Sequence, residues 1–187
     1  MSNKEKFIEL YTKHIKRDGS KELLEWLERT DFFTAPRSTR FHEAYPSGLV
    51  EHSLAVWNEL IRLLKAYPEI KVSAETAAIV TLLHDICKVG AYKTELRNKK
   101  DEFGQWVKYP AYIKKEDFVY GNHGGKSVYL IQRFMPLTEQ EAVAIQTHMG
   151  VTNGEYEVFE AHRAFPLAFL VHTADMAATI DKFKENK

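Results

Sequence analysis

The chain has 187 residues, and its 26 Lys and Arg balance its 26 Asp and Glu, so the formal net charge is zero with histidine neutral. This balance excludes a strongly basic nucleic-acid-binding protein. A content of 44% hydrophobic and 28% charged residues excludes an intrinsically disordered or collagen-like chain. No linker rich in glycine or proline divides the sequence, which predicts a single domain over residues 1–187.

The sequence predicts neither insertion in a membrane nor export. Its longest apolar runs, Ala77–Leu83 and Ala164–Val171, are far shorter than the ~18 residues that suggest a membrane span. The residues after Met1 lack the apolar core of a secretory signal, and the single Cys87 cannot form an internal disulfide. We therefore expect a cytoplasmic protein with no membrane partner.

Apolar residues recur mostly at helical spacing. In chain order, the predicted helices are residues 3–16, a helix capped by Ser20 and running through Leu27, Gly48–Ala66, a helix opened by Ser73 and running through Leu83, Gly124–Phe134, Glu139–Thr147 and Pro166–Lys182. Thr138 and Glu141 form the pattern of a capping box. The helix after Ser73 is so apolar that it must be central.

One segment interrupts the helical pattern. Tyr92–Leu96 and Gln105–Tyr109 have the composition of strands, and they flank the polar stretch Arg97–Gly104. A β-hairpin over about residues 92–109 is the simplest interpretation. The predicted fold class is thus an all-α bundle with one inserted hairpin.

Two polar residues stand at the end of the most apolar predicted helix. His84 and Asp85 follow Leu83 there, where an uncompensated charge would cost several kcal/mol of desolvation. A single His–Asp hydrogen bond, or a nearby lysine or arginine, is the ordinary way to compensate such a carboxylate. Other histidines on predicted helices offer a second explanation.

Imidazoles and carboxylates on separate helices suggest a metal site. The six candidate ligands are His52, His84, Asp85, His123, His148 and Asp175. Nitrogen and carboxylate ligands suit Mn, Fe, Zn, Ni or Co better than Ca or Mg. Six ligands exceed the needs of one tetrahedral ion, whereas two ions ~3.5–4 Å apart, bridged by Asp85, would use them all. The count favours two divalent transition-metal ions as cofactors.

The order of these residues resembles a known family. His52, then His84-Asp85, then Asp175 resemble the H…HD…D pattern of the HD-domain metal-dependent phosphohydrolases, and His123 and His148 resemble the extra pair of its two-metal branch. The chain is similar over nearly its whole length to small single-domain bacterial and phage members. The resemblance implies an HD-domain helical bundle that hydrolyses phosphate esters, with these six residues as metal ligands.

Two positions depart from the family pattern. Cys87 stands where the family usually has glycine, and Gly125 stands where related small proteins often have glutamate. Neither change removes a ligand. For Cys87, a small buried residue is a better interpretation than a nucleophilic thiol.

The expected chemistry is attack of a metal-bridging hydroxide on phosphorus, because two divalent ions lower the pKa of a shared water toward neutrality. Asp85 and Lys88 are the predicted catalytic residues. On a continuing helix, Lys88 would share a face with His84 and Asp85, and it could stabilise charge on phosphoryl oxygens. A solvated helix end is the ordinary alternative for Lys88.

The expected substrate is a nucleotide or a short oligonucleotide. Candidate contact residues are His42, Tyr45, Lys88, Tyr92, Arg97 and Lys126. The cations and aromatic residues of the hairpin suit a nucleotide, although lysines that guard exposed strand edges would give a similar composition. The zero net charge argues against long duplex nucleic acid.

Two other functions remain open at this point. One is a nucleotide sensor or partner-binding module that keeps the HD fold without turnover. The other is lyase or oxygenase chemistry at a di-iron site, because the same ligands also suit iron. The complete ligand set and Lys88 count against the sensor, whereas di-iron chemistry stays open beside the hydrolase.

Overall fold

Helices and one hairpin make up the secondary structure of the computed structural model, which describes residues 1–39, 44–115, 122–151 and 156–184, with side chains up to residue 180. The described helices are α1 (Asn3–His14), α2 (Ser20–Arg29), α3 (Gly48–Ala66), α4 (Ala74–Leu82), α5 (His123–Gln132), α6 (Glu139–Gln146), α7 (Tyr156–Ala164) and α8 (Pro166–Lys184). The strands are β1 (Tyr92–Lys100) and β2 (Trp106–Lys114). The predicted mostly helical fold with one inserted hairpin is confirmed.

Local capping determines several helix starts. The Ser73 hydroxyl accepts the Thr76 N–H at 3.0 Å and caps α4. Thr138 and Glu141 form the predicted capping box of α6. At α2 the prediction was wrong by one residue, because Gly19, with a φ of +82°, is the cap and Ser20 begins the helix. A Cβ atom at Gly19 would lie 1.8 Å from the Phe134 carbonyl oxygen, so the close approach requires glycine.

The apolar helix α4 ends earlier than predicted. It stops at Leu82, and His84 and Asp85 lie in the turn that follows. The His84 ring donates to the Thr81 carbonyl oxygen at 2.8 Å. This oxygen would accept the Asp85 N–H if the α-helix continued. A 3₁₀ turn, Ile86–Lys88, then brings Lys88 back toward Asp85, so the assumed continuous helix was wrong although the two residues do meet.

The hairpin is longer than predicted. Nine residue pairs run in antiparallel register from Tyr92–Lys114 to Lys100–Trp106, so residues 97–100, half of the expected loop, belong to β1. The connection is short because the Asp101 carboxylate accepts the N–H groups of Phe103 and Gln105 and because Gly104 adopts a φ of +76°. Helix α7 was not predicted from the sequence pattern.

The core lies around α3, α4 and α8. Helix α3 packs against α4 and α8, and α6 packs against both α8 and α5. Every residue of α4 from Thr76 to Leu82 is buried, which confirms that this helix is central. None of the described helices is long and apolar enough to cross a membrane.

A buried ion pair ties the N-terminal helices to α6. The two guanidinium nitrogens of Arg17 lie 2.8 and 2.9 Å from the two carboxylate oxygens of Glu141, which is fully buried. Thr76 also donates to this carboxylate, at 2.8 Å. Burial raises the pKa of Glu141, but the hydrogen bonds from Arg17, Thr138 and Thr76 outweigh it and hold that pKa below its ordinary value.

Loss of this ion pair should destabilise the fold in a pH-dependent way. We expect Arg17→Ala to lower the free energy of unfolding by about 2–3 kcal/mol at pH 7, because it leaves the Glu141 charge buried and uncompensated. In the wild type, the lowered pKa contributes stability that is present above about pH 4.3, the unfolded value, and is lost as the pH falls through the folded value. In the variant, only the hydrogen bonds from Thr138 and Thr76 oppose the effect of burial on Glu141, so protonation relieves part of the penalty and the difference from wild type shrinks on acidification.

Urea unfolding at pH 7 and pH 4 measures both effects. The matched control is Arg62→Ala, since the Arg62 side chain is 73% exposed and pairs with Glu59 at 2.7 Å. This exposed pair should contribute less than about 0.5 kcal/mol. An equal loss at both pH values in Arg17→Ala would mean that packing, and not charge, accounts for the effect.

Candidate metal centre

The six predicted ligands converge from five parts of the fold. His52 lies on α3, His84 and Asp85 follow α4, His123 begins α5, His148 follows α6, and Asp175 lies on α8. All are buried except His123, whose side chain is 36% exposed. Two groups of three residues with ligand atoms within 4.8 Å of one another are found among the described residues, and both contain Asp85.

The first group is His52, His84 and Asp85. The two histidine Nε2 atoms lie 3.2 Å apart. Asp85 Oδ2 lies 3.4 Å from His84 Nε2 and 3.9 Å from His52 Nε2. Ligands about 2.1 Å from a tetrahedral ion lie about 3.4 Å apart. The spacing is therefore that of atoms able to share one ion.

The second group is Asp85, His123 and His148. The other carboxylate oxygen of Asp85, Oδ1, lies 2.8 Å from His123 Nε2 and 3.6 Å from His148 Nε2. Each oxygen of Asp85 thus serves a different group of histidines. This arrangement would let one carboxylate bridge two ions.

Asp175, on α8, belongs to neither group but lies beside His52 of the first. Its Oδ1 lies 2.9 Å from His52 Nε2 and 2.9 Å from Arg37 Nη2. Burial raises the pKa of Asp175, but His52, His84 and His148 outweigh it and lower that pKa strongly. The carboxylate is therefore ionised and available as a ligand.

Backbone contacts orient two of the imidazoles. The Nδ1 atoms of His84 and His148 lie 2.8 Å from the Thr81 carbonyl oxygen and 2.6 Å from the Ile145 carbonyl oxygen, respectively. Because a carbonyl oxygen can only accept, Nδ1 carries the proton and Nε2 keeps its lone pair. His172 supports this arrangement by donating from Nδ1 to the His148 carbonyl oxygen at 2.7 Å.

These residues fit a divalent transition metal. The Nε2 atom of His148 is buried and has no hydrogen-bond partner among the described residues. An unmatched buried lone pair is costly, and a cation at this point would satisfy it. His and Asp ligands with their outer nitrogens held by carbonyl groups are typical of such sites.

Charges in the cluster favour a bound cation. Burial lowers the pKa of His52 to about 3, so this ring is a neutral ligand at physiological pH. Burial raises the pKa of Asp85, but Lys88 and the surrounding histidines outweigh it and hold that pKa well below its usual range. Burial lowers the pKa of His148, yet the Asp85 carboxylate more than offsets this and raises it. Asp85 is thus an ionised carboxylate that attracts positive charge.

A small cavity opens beside the cluster. Its volume is about 140 Å³, and its lining includes Lys88, Tyr92, Lys114, Lys115, His123 and Lys126. Lys88 Nζ lies 2.5 Å from Asp85 Oδ2, and its side chain is 11% exposed. No carboxylate belongs to the described lining. The described lining of the cavity is therefore electropositive and suits an anion.

The predicted substrate residues have different positions. Lys88, Tyr92 and Lys126 line the cavity. Tyr45 does not belong to its described lining, and its hydroxyl donates to Glu51 at 2.8 Å. Arg97 lies on the hairpin face opposite to Tyr92, with Nε 3.8 Å from Glu95. His42 falls outside the described residues.

Three residues of the site were not predicted from the sequence. Arg37 contacts Asp175, and its carbonyl oxygen accepts the Tyr92 hydroxyl at 2.7 Å, which joins the base of the hairpin to the cluster. Lys114 and Lys115 reach the cavity from the end of β2. Their position next to each other at the end of the second strand is the one sequence feature that could have pointed to these lysines. Lys114 lies 26 positions after Lys88, so the spacing does not indicate that they share a cavity.

A close approach of two helices holds the second group together. A Cβ atom at Gly124 would lie 2.3 Å from the Ile145 carbonyl oxygen, so α5 and α6 touch through their backbones. This contact brings His123 toward His148.

Burial and Asp85 raise the pKa of the neighbouring Cys87 thiol to about 12, which agrees with a packing role and not with a nucleophile.

Comparisons of the chain with models of known protein families, with curated proteins and with solved structures find no match. The chain has a helical fold that carries a cluster of histidine and aspartate residues able to bind a metal ion.

Proposed function

We propose that the protein is a metal-dependent phosphohydrolase of the HD type, acting on a phosphate ester of a nucleotide or short oligonucleotide. The observation that carries this proposal is the position of Asp85, which belongs to both ligand groups and touches the cavity lysine Lys88. A shared carboxylate, flanking histidines and an adjacent anion pocket are the components that hydrolysis by two metals requires.

The ligand order supports the same proposal. His52, His84-Asp85 and Asp175 keep the order of the H…HD…D pattern, and the fold that carries them is a helical bundle. In this proposal, His52, His84, Asp85 and Asp175 would hold one ion. His123 and His148 would hold a second ion together with Asp85.

Divalent ions at these ligands would supply Lewis acidity toward a phosphoryl oxygen and toward water. The chain's own residues would do the positioning. With cations bound beside it, Asp85 would attract Lys88 less strongly, and Lys88 could then contact a phosphoryl oxygen that gains charge in the transition state. His172 and the carbonyl groups of Thr81 and Ile145 would keep the imidazoles in place.

The dimensions of the cavity fit part of a nucleotide. Its volume of about 140 Å³ is below the roughly 300–1,000 Å³ of pockets that enclose a drug-sized ligand. Four lysines in such a space suit a phosphate group. The remainder of the substrate would lie outside, next to the hairpin.

Metal analysis combined with a hydrolysis screen tests this function. Protein purified without added metal is expected to contain Mn, Fe, Co, Ni or Zn and to hydrolyse at least one member of a panel of nucleoside phosphates, cyclic dinucleotides and short RNAs. If fully metallated protein hydrolyses none of them with any of these ions or Mg, the proposal is wrong. Tight nucleotide binding without turnover would then favour a sensor, and exclusive activity with iron plus oxygen consumption would favour di-iron chemistry.

A further inference from the structure

The two faces of the hairpin differ in chemistry. In an antiparallel pair, directly opposite residues lie on the same face and successive residues alternate. The register therefore defines a cavity face, which starts at the Tyr92–Lys114 pair and ends at the Lys100–Trp106 pair. Both members of the first pair line the cavity beside the metal cluster. The cavity face is thus continuous with the candidate site.

Aromatic residues and lysines follow one another along the cavity face. Its aromatic and cationic members are Tyr92, Lys100, Trp106, Lys108, Tyr112 and Lys114. Trp106 is 70% exposed, and Lys100 Nζ lies 5.6 Å from the centre of its ring. None of the ten residues of this face is acidic.

The opposite face is built differently. It carries Glu95, whose carboxylate lies 3.8 Å from Arg97 Nε. Its aromatic residue, Tyr109, is only partly exposed and has Lys99 Nζ 5.1 Å from its ring centre. Because it carries a carboxylate and has no ring as exposed as that of Trp106, this face is a poorer surface for a polyanion with stacking groups.

We propose that the cavity face binds a single-stranded nucleic acid along its length. Trp106 offers a largely exposed ring and Tyr112 a partly exposed one, and Lys108 lies between them on the same face, so positions for stacking stand next to positions for phosphate. Stacking on aromatic side chains needs unpaired bases. At ~3.3 Å per residue, the nine pairs extend over about 26 Å, which is room for several nucleotides. A mononucleotide would leave most of this surface unused.

The direction of the strand rests on the proposed function. A terminal phosphate would enter the lysine-lined cavity next to Asp85, and the following nucleotides would lie on Tyr112 and Trp106 toward the hairpin tip. Binding along the face itself requires no hydrolysis. The two proposals can therefore fail separately.

Fluorescence anisotropy with labelled oligothymidylates tests the inference on the full chain as purified, with the integrity of the oligonucleotide checked on a gel. A ten-nucleotide strand should bind at least about tenfold more tightly than a dinucleotide, because only the longer strand spans the face. Lys108→Glu should raise the Kd of the longer strand about tenfold. Its matched control is Lys99→Glu, which makes the same charge change one pair away on the opposite face and should change the Kd less than about twofold.

A second pair of variants tests stacking. Trp106→Ala should raise the Kd about tenfold, whereas Tyr109→Ala on the opposite face should have little effect. The phosphate contact is tested separately by the dependence on salt. Lys108→Ala should reduce the slope of log Kd against log salt concentration by about 0.7, the value for one lost phosphate contact on a single strand. Circular dichroism of the helices verifies that each variant is folded.

Three results would overturn the inference. The first is an equal rise in the Kd of the decamer for variants on both faces. The second is a dinucleotide that binds as tightly as the decamer. The third is a polyglutamate of equal charge that displaces the labelled decamer as well as unlabelled decamer does. Absence of hydrolysis would not affect it, since the measurement is of binding. Hydrolysis of mononucleotides together with any of the three results would retain the proposed function and reject this surface.

Discussion

Replacement of Asp85 by alanine is expected to remove metal from the protein and to lower phosphohydrolase activity by at least about 10³-fold. The reason is the position of this carboxylate in both ligand groups, with Oδ2 3.4 Å from His84 and Oδ1 2.8 Å from His123. No other described residue belongs to both groups. Elemental analysis of the purified variant measures the loss directly, independently of any substrate.

Comparison of three variants makes this prediction specific. His123→Ala removes a ligand of the second group only, so we expect it to retain about one ion per chain while Asp85→Ala retains none. Asp18→Ala, at an exposed position between α1 and α2, serves as the surface control and should keep the full content. Full metal content in Asp85→Ala would reject the shared-carboxylate model, and equal loss in Asp85→Ala and His123→Ala would reject two separable sites.

Replacement of Lys88 by alanine is expected to lower kcat by roughly 10²–10³-fold while metal content and KM change little. Lys88 contacts Asp85 and lines the cavity, so its side chain can reach an oxygen of a phosphoryl group held there. An interaction made mainly in the transition state affects kcat and leaves KM nearly unchanged. Single-turnover hydrolysis, with metal measured on the same samples, checks this expectation.

The control for Lys88→Ala is Lys65→Ala, at an exposed position in the last turn of α3. This variant removes the same charge from the surface and should match the wild-type rate. A nucleotide sensor would behave differently, because Lys88→Ala would then weaken ligand binding with no turnover in either protein. Equal rates for wild type and Lys88→Ala would remove this lysine from the catalytic residues.

The sequence by itself determined the local parts of this protein. Side-chain caps such as Ser73 and the Thr138–Glu141 box act over three residues, and helical periodicity placed α3 at the bounds that the structure has. The six candidate ligands were also identifiable, because histidine and aspartate side chains in or next to apolar segments need partners that offset the cost of burying them. Such signals depend only on neighbours along the chain.

Tertiary structure alone decided the contacts between distant segments. Packing brought Arg17 to the buried Glu141, Arg37 to Asp175, and Lys114 and Lys115 to the cavity, over separations that no periodicity encodes. Strand register also decided which hairpin residues share a face with Tyr92, and it placed Arg97 on the other side. The physical reason is that a side chain's partners across the fold depend on how helices and strands pack, whereas composition and spacing specify only which side chains need partners.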